Sequence, residues 1–244
     1  MKVVLFCGGY GMRMRDSTGE GMPKPMQMVG PRPLIWHVMR YYAHYGHKEF
    51  ILCLGYGASH IKNYFLTYQE AASNDFVMHE GQVRLMQSDI SDWKITFVDT
   101  GLESAIGERL RRVRPYLGDD EYFLCNYADT LTDAPLNDVI AEFYKSGAAA
   151  SMVVVPPESS FHYVDISETG EVKNIALLSD LAVWVNGGYF VLSNEIFDYI
   201  PPGGDLVADG CETLAGEGRL FGYRYQVFWK AADTFKERAD LDAG

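Results

Sequence analysis

The sequence is poor in positive charge. Of its 244 residues, 21 are lysine or arginine and 33 are aspartate or glutamate, so the formal net charge is -12. Binding to nucleic acid or to an anionic membrane requires a basic face, and we therefore expect neither partner. A small anionic ligand is compatible with this charge, because a few cations in one loop set the local field.

Cysteine is scarce, and long apolar runs are absent. Cys7, Cys53, Cys125 and Cys211 are widely spaced and form no C-x-x-C pair, so buried free thiols are expected rather than a disulfide framework or a zinc site. No stretch approaches the length of a membrane span, and the N-terminal apolar run is too short for a signal peptide. These features predict a soluble, cytoplasmic protein.

Two common phosphate-binding motifs are also missing. The glycine-rich stretch near the N-terminus is neither G-x-G-x-x-G nor a Walker A loop, because no Gly-Lys-Ser/Thr follows it. Even so, Gly8, Gly9 and Gly11 come directly after the apolar residues 3–6. A buried strand that leads into a glycine-rich turn exposes backbone N–H groups to an anion.

Two cations follow this glycine-rich stretch. They are Arg13 and Lys24, the second flanked by Pro23 and Pro25. The alternative is an ordinary tight turn with surface charges. Because the glycines follow a buried strand and both cations lie within reach, the pattern favours a loop that binds a triphosphate.

Apolar runs and helical patterns alternate along the chain. Helical spacing over residues 33–45 and 61–68 separates apolar runs at 3–6, 50–54 and 95–98. This alternation predicts an α/β fold with a parallel, doubly wound sheet. Residues 71–93 lose the pattern and predict a peripheral hairpin or insertion, while residues 221–228 alternate like one strand. No linker or repeat indicates a second independent domain.

Polar side chains follow several predicted strands. Thr100 and Gly101 come after one run, and Asp129 comes after another. The carboxyl ends of parallel strands line the crevice in which such sheets bind ligands. Arg109, the first arginine of the following helix, is expected to face a ligand, and the other arginines of that helix are expected on a solvated face. Since an unpaired buried carboxylate is costly, Asp129 should lie in water, in an ion pair or on a metal.

In their order along the chain, these motifs resemble the sugar-phosphate nucleotidyltransferase family, and within it they are most similar to the glucose-1-phosphate cytidylyltransferases. The matching stretches are Gly8-Gly9-Tyr10-Gly11-Met12-Arg13, Pro23-Lys24-Pro25-Met26, Pro33-Leu34-Ile35-Trp36-His37, Phe50-Ile51-Leu52-Cys53-Leu54-Gly55-Tyr56, Val98-Asp99-Thr100-Gly101, Gly107-Glu108-Arg109-Leu110, Tyr127-Ala128-Asp129, Val185-Asn186-Gly187-Gly188-Tyr189-Phe190-Val191 and Phe228-Trp229-Lys230-Ala231-Ala232-Asp233-Thr234. An ordered set across nearly the whole chain is far more specific than any single motif.

The resemblance implies a Rossmann-like, mostly parallel mixed sheet with helices on both faces, in one domain over residues 1–244. The nucleotide-binding half would cover about residues 1–130, and the acceptor-binding half about residues 131–244. It also implies transfer of CMP from CTP to a small phosphorylated acceptor, by default glucose 1-phosphate, with release of pyrophosphate. Because the family often forms oligomers, a homo-oligomer is a further expectation.

The resemblance also implies roles for individual residues. Arg13 and Lys24 would neutralise phosphate charge, and Asp129 and Asp233 would hold Mg²⁺. Nucleotide contacts would come from Gly8, Gly9, Gly11, Met12, Thr100, Gly101 and Arg109, and acceptor contacts from Tyr163, Asn186, Gly187 and Gly188. None of these residues is assigned the role of nucleophile, which agrees with a phosphoryl-type transfer that mostly needs positioning and charge neutralisation.

The acceptor half departs from the family pattern. The usual Glu-Lys-Pro is replaced by residues 176–180, Ala-Leu-Leu-Ser-Asp, and an acidic residue expected near positions 206–207 is missing. Ala128 stands where the family has glycine. Loss of a lysine that pairs with a phosphate dianion is costly unless another cation replaces it. Lys173, Arg219 and Lys230 are the candidates.

Three functions remain open at this point. The chain could be a cytidylyltransferase for glucose 1-phosphate, a cytidylyltransferase for another phosphate, phosphonate or modified sugar, or a nucleotide-binding regulatory or scaffold subunit without turnover. Retention of both Asp129 and Asp233 favours an enzyme, because binding alone has less need of a metal pair. A dinucleotide-dependent oxidoreductase is excluded by the glycine spacing and by the lack of an acid after the second strand.

Overall fold

The computed structural model describes residues 1–9, 22–157 and 161–231. The strands are β1 (Val3–Phe6), β2 (Met28–Val29), β3 (Arg32–Pro33), β4 (Glu49–Leu54), β5 (Phe76–His79), β6 (Gln82–Leu85), β7 (Lys94–Asp99), β8 (Tyr122–Asn126), β9 (Thr130–Thr132), β10 (Ala150–Val155), β11 (His162–Ile166), β12 (Val172–Leu177), β13 (Val185–Ser193), β14 (Leu220–Arg224) and β15 (Trp229–Ala231). The helices are α1 (Leu34–His44), α2 (Ala58–Leu66), α3 (Glu70–Ser73), α4 (Ile106–Leu117), α5 (Leu136–Ser146), α6 (Ile196–Tyr199) and α7 (Glu212–Gly216). Within these three ranges no helix combines the length and the apolar character needed to cross a membrane.

A seven-stranded sheet forms the centre of the fold. Its strand order is β14-β10-β13-β8-β1-β4-β7. β13 is antiparallel to its neighbours β10 and β8, whereas the pairs β8–β1, β1–β4, β4–β7 and β10–β14 are parallel. The predicted mostly parallel mixed sheet is therefore confirmed, and strands from both ends of the chain belong to it.

Helices cover both faces of this sheet. Along β1, Val3 and Leu5 belong to one buried cluster and Val4 and Phe6 to the other. Helices α1, α2 and α5 contribute to the first cluster, and α4, α6 and α7 to the second. A strand that is buried on both faces shows a continuous apolar run instead of alternation, which explains why runs were sufficient to locate these strands.

All four cysteines lie in these interiors. Cys7, Cys53, Cys125 and Cys211 are buried and unpaired, as the sequence predicted. Burial raises the pKa of each thiol above its usual value. The thiols therefore stay protonated near neutral pH and have little nucleophilic character.

Of the single strand predicted over residues 221–228, residues 221–224 form β14 and residues 225–228 form no strand. β14 ends at Arg224, and β15 leaves the central sheet to pair with β9. Alternating hydropathy continues through the break, and hydropathy does not reveal a change of pairing partner. As a result, Lys230 is paired with Leu131, and Ala231 with Thr130, directly after Asp129.

Two hairpins, β5–β6 and β11–β12, lie outside the central sheet. The first confirms the peripheral hairpin predicted within residues 71–93. Its two turn residues, Glu80 and Gly81, have φ values of 51° and 77°, as a type I′ turn requires. Near its base, Arg32 lies 5.3 Å from the ring centre of Trp36 and 5.6 Å from that of Tyr68.

Candidate functional site

A cleft of about 850 Å³ opens at the carboxyl edge of the parallel strands. It is lined by Phe6, Cys7, Gly8, Gly9, Lys24, Pro25, Leu102, Glu103, Ser104, Ala105, Ile106, Arg109, Tyr127, Asp129 and Asp205. Many of these residues follow β1, β7 and β8, because the carboxyl ends of parallel strands meet at one edge of a sheet. The volume is typical of a small-molecule site.

The floor of the cleft is organised around the guanidinium of Arg109, a residue that is only 3% exposed as a whole. Its Nη2 donates to the main-chain oxygens of Gly8 and Leu102, each at 3.0 Å. Its Nη1 donates to Thr100 Oγ1 at 2.9 Å and to the main-chain oxygen of Leu54 at 3.3 Å. One side chain thus joins the ends of β1, β4 and β7.

This arrangement requires glycine at two of the strand ends. A Cβ on Gly8 would lie 2.8 Å from Cζ of Arg109 and 2.9 Å from the main-chain nitrogen of Gly55. A Cβ on Gly55 would lie 2.8 Å from the main-chain oxygen of Gly8. Both positions are closed to any side chain. Gly8 therefore makes room for a buried cation, a role that its place in a glycine-rich loop did not reveal.

Lys24 and Asp129 meet at this cleft. Lys24 Nζ lies 3.5 Å from Asp129 Oδ2, with 19% and 25% of the two side chains exposed. Lys24 begins a single 3-10 turn, Lys24–Met26. Asp129 follows Ala128, which is fully buried and has a φ of 60°, a conformation that costs a residue with a Cβ about 1 kcal/mol. The backbone thus takes at Ala128 a conformation that glycine would adopt more easily.

Tyr127, beside this pair, is held by the start of β13. Asn186 Nδ2 donates to Tyr127 Oη at 3.0 Å, and Asn186 Oδ1 accepts from the nitrogen of Gly188 at 2.9 Å. A Cβ on Gly188 would lie 2.8 Å from Tyr127 Cδ2. The oxygen of Gly187 accepts from Trp229 Nε1 at 2.7 Å. These contacts place the ring of Tyr127 in the wall of the cleft.

The structure brings some of the predicted site residues together at the cleft, namely Gly8, Gly9, Lys24, Arg109 and Asp129. Thr100 is fully buried below the cleft, where it contacts Arg109, and Gly101 follows it with a φ of 83°. Asn186, Gly187 and Gly188 act as supports for Tyr127 and Trp229. Tyr163 lies on the outer hairpin and is 42% exposed. The predictions for Gly11, Met12, Arg13 and Asp233 fall outside the described residues.

Of the remaining arginines of α4, Arg112 and Arg114 are exposed, as predicted, and Arg111 is half-buried, but all three also contact neighbouring segments. Arg112 Nη1 donates to the main-chain oxygen of Thr100 at 2.9 Å, and Arg114 lies 4.7 Å over the ring of Phe197. Arg111 also donates to a main-chain oxygen, at 3.0 Å. The spacing of residues on a helix shows which side chains point away from the core, but not which neighbouring loops they reach.

Sequence reasoning did not find three parts of the cleft: Tyr127, loop 102–105 and Asp205. Asp205 Oδ1 accepts from the main-chain nitrogens of Val207 and Ala208, at 2.8 and 3.1 Å. An aspartate that precedes a helical turn is a common N-cap, and this signal was present in the sequence. Loop 102–105 could have been found from its place after β7.

The candidate cations for the acceptor side lie in different places. Arg219 precedes β14, which runs in the direction of β1, so it lies at the sheet edge opposite the cleft. It donates there to Glu195 and Tyr199. Lys173 is exposed on β12. Lys230 lies on β15, beside the segment that follows Asp129.

Residues 2–230 match the family described as nucleotidyl transferase. A probable glucose-1-phosphate cytidylyltransferase of Bacillus subtilis (strain 168) is 37% identical over 246 residues, which covers 99% of this chain and 95% of that protein. Glucose-1-phosphate cytidylyltransferase of Salmonella typhi is 35% identical over 247 residues, with the same coverage of 99% and 95%. Among solved structures, UDP-glucose pyrophosphorylase from Acinetobacter baumannii is similar in fold, with a TM-score of 0.71, 19% identity and coverage of 99% and 91%.

Proposed function

Because this chain belongs to the nucleotidyltransferase family, we propose that it transfers CMP from CTP to a sugar 1-phosphate and releases pyrophosphate. The default acceptor is glucose 1-phosphate, which would give CDP-glucose, after the names of the relatives from Bacillus subtilis and Salmonella typhi. The observation that carries the proposal is the pairing of Lys24 with Asp129 at a cleft that Gly8 and Gly9 also line.

The proposed reaction is an in-line displacement at the α-phosphorus of CTP. A phosphate oxygen of the acceptor forms a new bond to that phosphorus, and the bond from the phosphorus to the α–β bridging oxygen breaks. The electron pair of that bond leaves with pyrophosphate, so nothing is oxidised or reduced. No protein nucleophile is needed. The only cysteine among the described cleft residues, Cys7, suits this scheme, because burial raises the pKa of its thiol.

The nucleotide is proposed to lie on the glycine-rich loop. Main-chain N–H groups of Gly8, Gly9, Gly11 and Met12 would donate to phosphate oxygens, and Lys24 and Arg13 would neutralise the charge that develops during transfer. Thr100, Gly101 and Arg109 would form the floor beneath base and ribose. The contacts of Arg109 with Gly8 and Leu102 support this arrangement, since they hold both sides of the floor in place.

Asp129 and Asp233 are proposed to hold Mg²⁺. The carboxylate of Asp129 borders the cleft, and carboxylate oxygens are the ligands that this hard cation prefers. Asp233 follows the end of β15 by two residues, and β15 is paired beside Asp129 through Ala231 and Thr130. When bound, the ion would neutralise phosphate charge and orient the reacting groups.

A second acceptor class is a phosphate or phosphonate other than glucose 1-phosphate. The observation that favours it is the course of β12, which ends at Leu177 and is followed by the turn Leu178–Asp180. Among the described residues, none from 176 to 180 lines the cleft. We propose that Tyr127 and Asp205, which do line it, face the acceptor in either case.

The test is pyrophosphate release with Mg²⁺ and CTP against glucose 1-phosphate, other sugar 1-phosphates and alkyl phosphonates, repeated with UTP and dTTP. Asp129→Asn should lower turnover by roughly 100-fold or more, because a lost charge-stabilising group of this kind costs about 3 kcal/mol. Asp133→Asn is the matched control. Asp133 follows β9 and accepts from Tyr225 Oη at 2.5 Å, and it does not line the described cleft.

Each outcome distinguishes between the two acceptor classes and a nucleotide-binding subunit without turnover. Turnover with glucose 1-phosphate that Asp129→Asn removes and Asp133→Asn retains supports the default acceptor. Turnover with another acceptor alone keeps CMP transfer and replaces glucose 1-phosphate. Calorimetric binding of CTP without turnover on any acceptor would refute the enzyme and leave a nucleotide-binding subunit.

A further inference from the structure

Asp205 is held at the cleft by contacts between α4 and the segment that precedes it. The main-chain nitrogen of Glu108 donates to the oxygen of Gly204 at 3.0 Å, and Glu108 Oε2 accepts from the nitrogen of Gly203, also at 3.0 Å. A Cβ on Gly107 would lie 2.6 Å from the oxygen of Gly204, so no side chain fits between α4 and this segment. The start of α4 therefore fixes the main chain that carries Asp205.

Only one of the two carboxylate oxygens of Asp205 is used within the described part of the chain. Oδ1 accepts from the main-chain nitrogens of Val207 and Ala208. The main-chain nitrogen of Asp205 donates to Asp209 Oδ2 at 2.6 Å, which fixes the residue further. An N-cap needs a single oxygen, and no described donor contacts Oδ2 of Asp205. This oxygen is therefore left for a ligand.

The charges of the cleft leave Asp205 without a counter-ion. Among the described residues that line the cleft, the cations are Lys24 and Arg109. Lys24 Nζ lies 3.5 Å from Asp129 Oδ2, and the guanidinium of Arg109 donates to four oxygens of the floor. Arg13 is proposed above to serve the nucleotide. A carboxylate beside a site for anionic substrates is unfavourable unless the ligand itself supplies a positive charge.

The ring of Tyr127 lies in the same cleft as Asp205. Asn186 Nδ2 donates to its hydroxyl at 3.0 Å and so holds the ring in place. Burial raises the pKa of Tyr127, and the carboxylate of Asp205 raises it further, so the two side chains are close enough to interact. Aromatic rings attract cations, and carboxylates accept charge-assisted hydrogen bonds from them. The pair suits an ammonium group.

We propose that Asp205 and Tyr127 bind a protonated amino group of the acceptor, so that the substrate is an amine-bearing phosphate or phosphonate, amino-sugar 1-phosphates included. This inference rests on the CMP transfer proposed above and names the acceptor class for the same cleft. The ammonium group would donate to Asp205 Oδ2, and the phosphate of the acceptor would lie towards Lys24. A protonated amine has no lone pair, so a phosphate oxygen remains the nucleophile, and the bonds that form and break are those given above.

The competing group on the acceptor is a neutral hydroxyl, from which a carboxylate also accepts a hydrogen bond. Two arguments favour the amine. A hydroxyl leaves the negative charge of Asp205 uncompensated, whereas an ammonium group offsets it. The ring of Tyr127 attracts a cation electrostatically and has no such attraction for a neutral hydroxyl.

The test compares kcat/KM at pH 7, with CTP and Mg²⁺, for two matched pairs of acceptors. The first pair is glucosamine 1-phosphate and glucose 1-phosphate, and the second is 2-aminoethyl phosphate and 2-hydroxyethyl phosphate. Within each pair an amine replaces a hydroxyl. The wild-type protein should prefer the amine in at least one pair by about 10-fold or more, because a hydrogen bond to a charged group contributes at least that factor.

Asp205→Asn removes the charge and keeps an oxygen for the N-cap, so it should abolish this preference. Asp198→Asn is the matched control. Asp198 is exposed on α6 and does not line the described cleft, so the variant loses the same charge and should keep the preference. If Asp205→Asn does not fold, Asp205→Ser takes its place, because serine is also a good N-cap.

Equal kcat/KM for amine and hydroxyl in both pairs, or an amine preference that the Asp205 variants retain, would overturn this inference and leave CMP transfer intact. No turnover with any acceptor would refute the proposed function instead. Calorimetry then decides the inference separately. The wild-type protein should bind 2-aminoethyl phosphate about 10-fold more tightly than Asp205→Asn does, and equal or undetectable binding would overturn it.

Discussion

Replacing Gly8 by alanine would add a methyl group where the structure has no space for one. The new carbon would lie 2.8 Å from Cζ of Arg109 and 2.9 Å from the main-chain nitrogen of Gly55. The side chain could move, but the main chain of Gly55 is held between β4 and the cleft. The guanidinium that would have to move also donates to the oxygens of Gly8 and Leu102.

The cost of this substitution has two parts. Overpacking a well-filled interior costs about 1–3 kcal/mol, and displacing a charged hydrogen-bond donor from a buried oxygen costs about 1.5–3 kcal/mol more. Together they predict that Gly8→Ala lowers the free energy of unfolding by about 2.5–6 kcal/mol, a large share of the 5–15 kcal/mol typical of a folded protein. For a chain of this size, such a loss corresponds to a Tm lower by roughly 10 °C.

Gly9→Ala is the matched control, one residue along the same loop. Among the described residues, no heavy atom lies within 4 Å of a Cβ added at Gly9, and neither glycine has a positive φ. The control should therefore be within about 0.5 kcal/mol of the wild-type protein, since a surface change away from special features has little effect. Urea unfolding followed by tryptophan fluorescence measures both variants.

Arg109→Met, combined with Gly8→Ala, tests the cause. If the clash is with Arg109, the double variant should lose less stability than the sum of the two single variants, by at least about 0.5 kcal/mol. The contact between Arg109 and position 8 would be refuted as the cause if Gly8→Ala is as stable as Gly9→Ala, or if the losses of the two single variants simply add.

Two further predictions concern backbone strain and pH. Ala128→Val should lower the free energy of unfolding by about 3 kcal/mol or more, because it forces a β-branched side chain into a buried position with positive φ. Ala128→Gly should stay within about 1 kcal/mol of the wild-type protein. Equal urea midpoints for the two variants would contradict this prediction. Burial lowers the pKa of His47 to about 4 from an ordinary 6.5, so on acidification the unfolded chain takes up a proton at His47 before the folded protein does. The contribution of neutral His47 to the free energy of unfolding is therefore complete above about pH 6.5 and is lost as the pH drops towards 4. After discounting for solvent screening, this loss should be roughly 2 kcal/mol. Tm measured from pH 7 to pH 4 should show a smaller loss for His47→Gln than for wild type, and equal losses for the two proteins would contradict this.

The sequence by itself was sufficient for the class of fold and for the position of the cleft. Strands buried on both faces leave apolar runs, and helices that cover a sheet leave apolar residues at helical spacing, so both are visible locally. The ends of parallel strands must meet at one edge of the sheet. For this reason Gly8 and Asp129, which follow two of these strands, could be expected at one edge, and the resemblance to the family placed them in one site with Lys24.

Only the tertiary structure decided what several of these residues do. Arg109 contacts Gly8 across 101 positions of sequence, Asn186 supports Tyr127 instead of lining the cleft, and β15 pairs with β9 instead of extending β14. Propensity and hydropathy depend on near neighbours in the chain. Hydrogen-bond partners and steric clearances depend on where distant segments come to lie, to within a fraction of an ångström, and no local pattern encodes those distances.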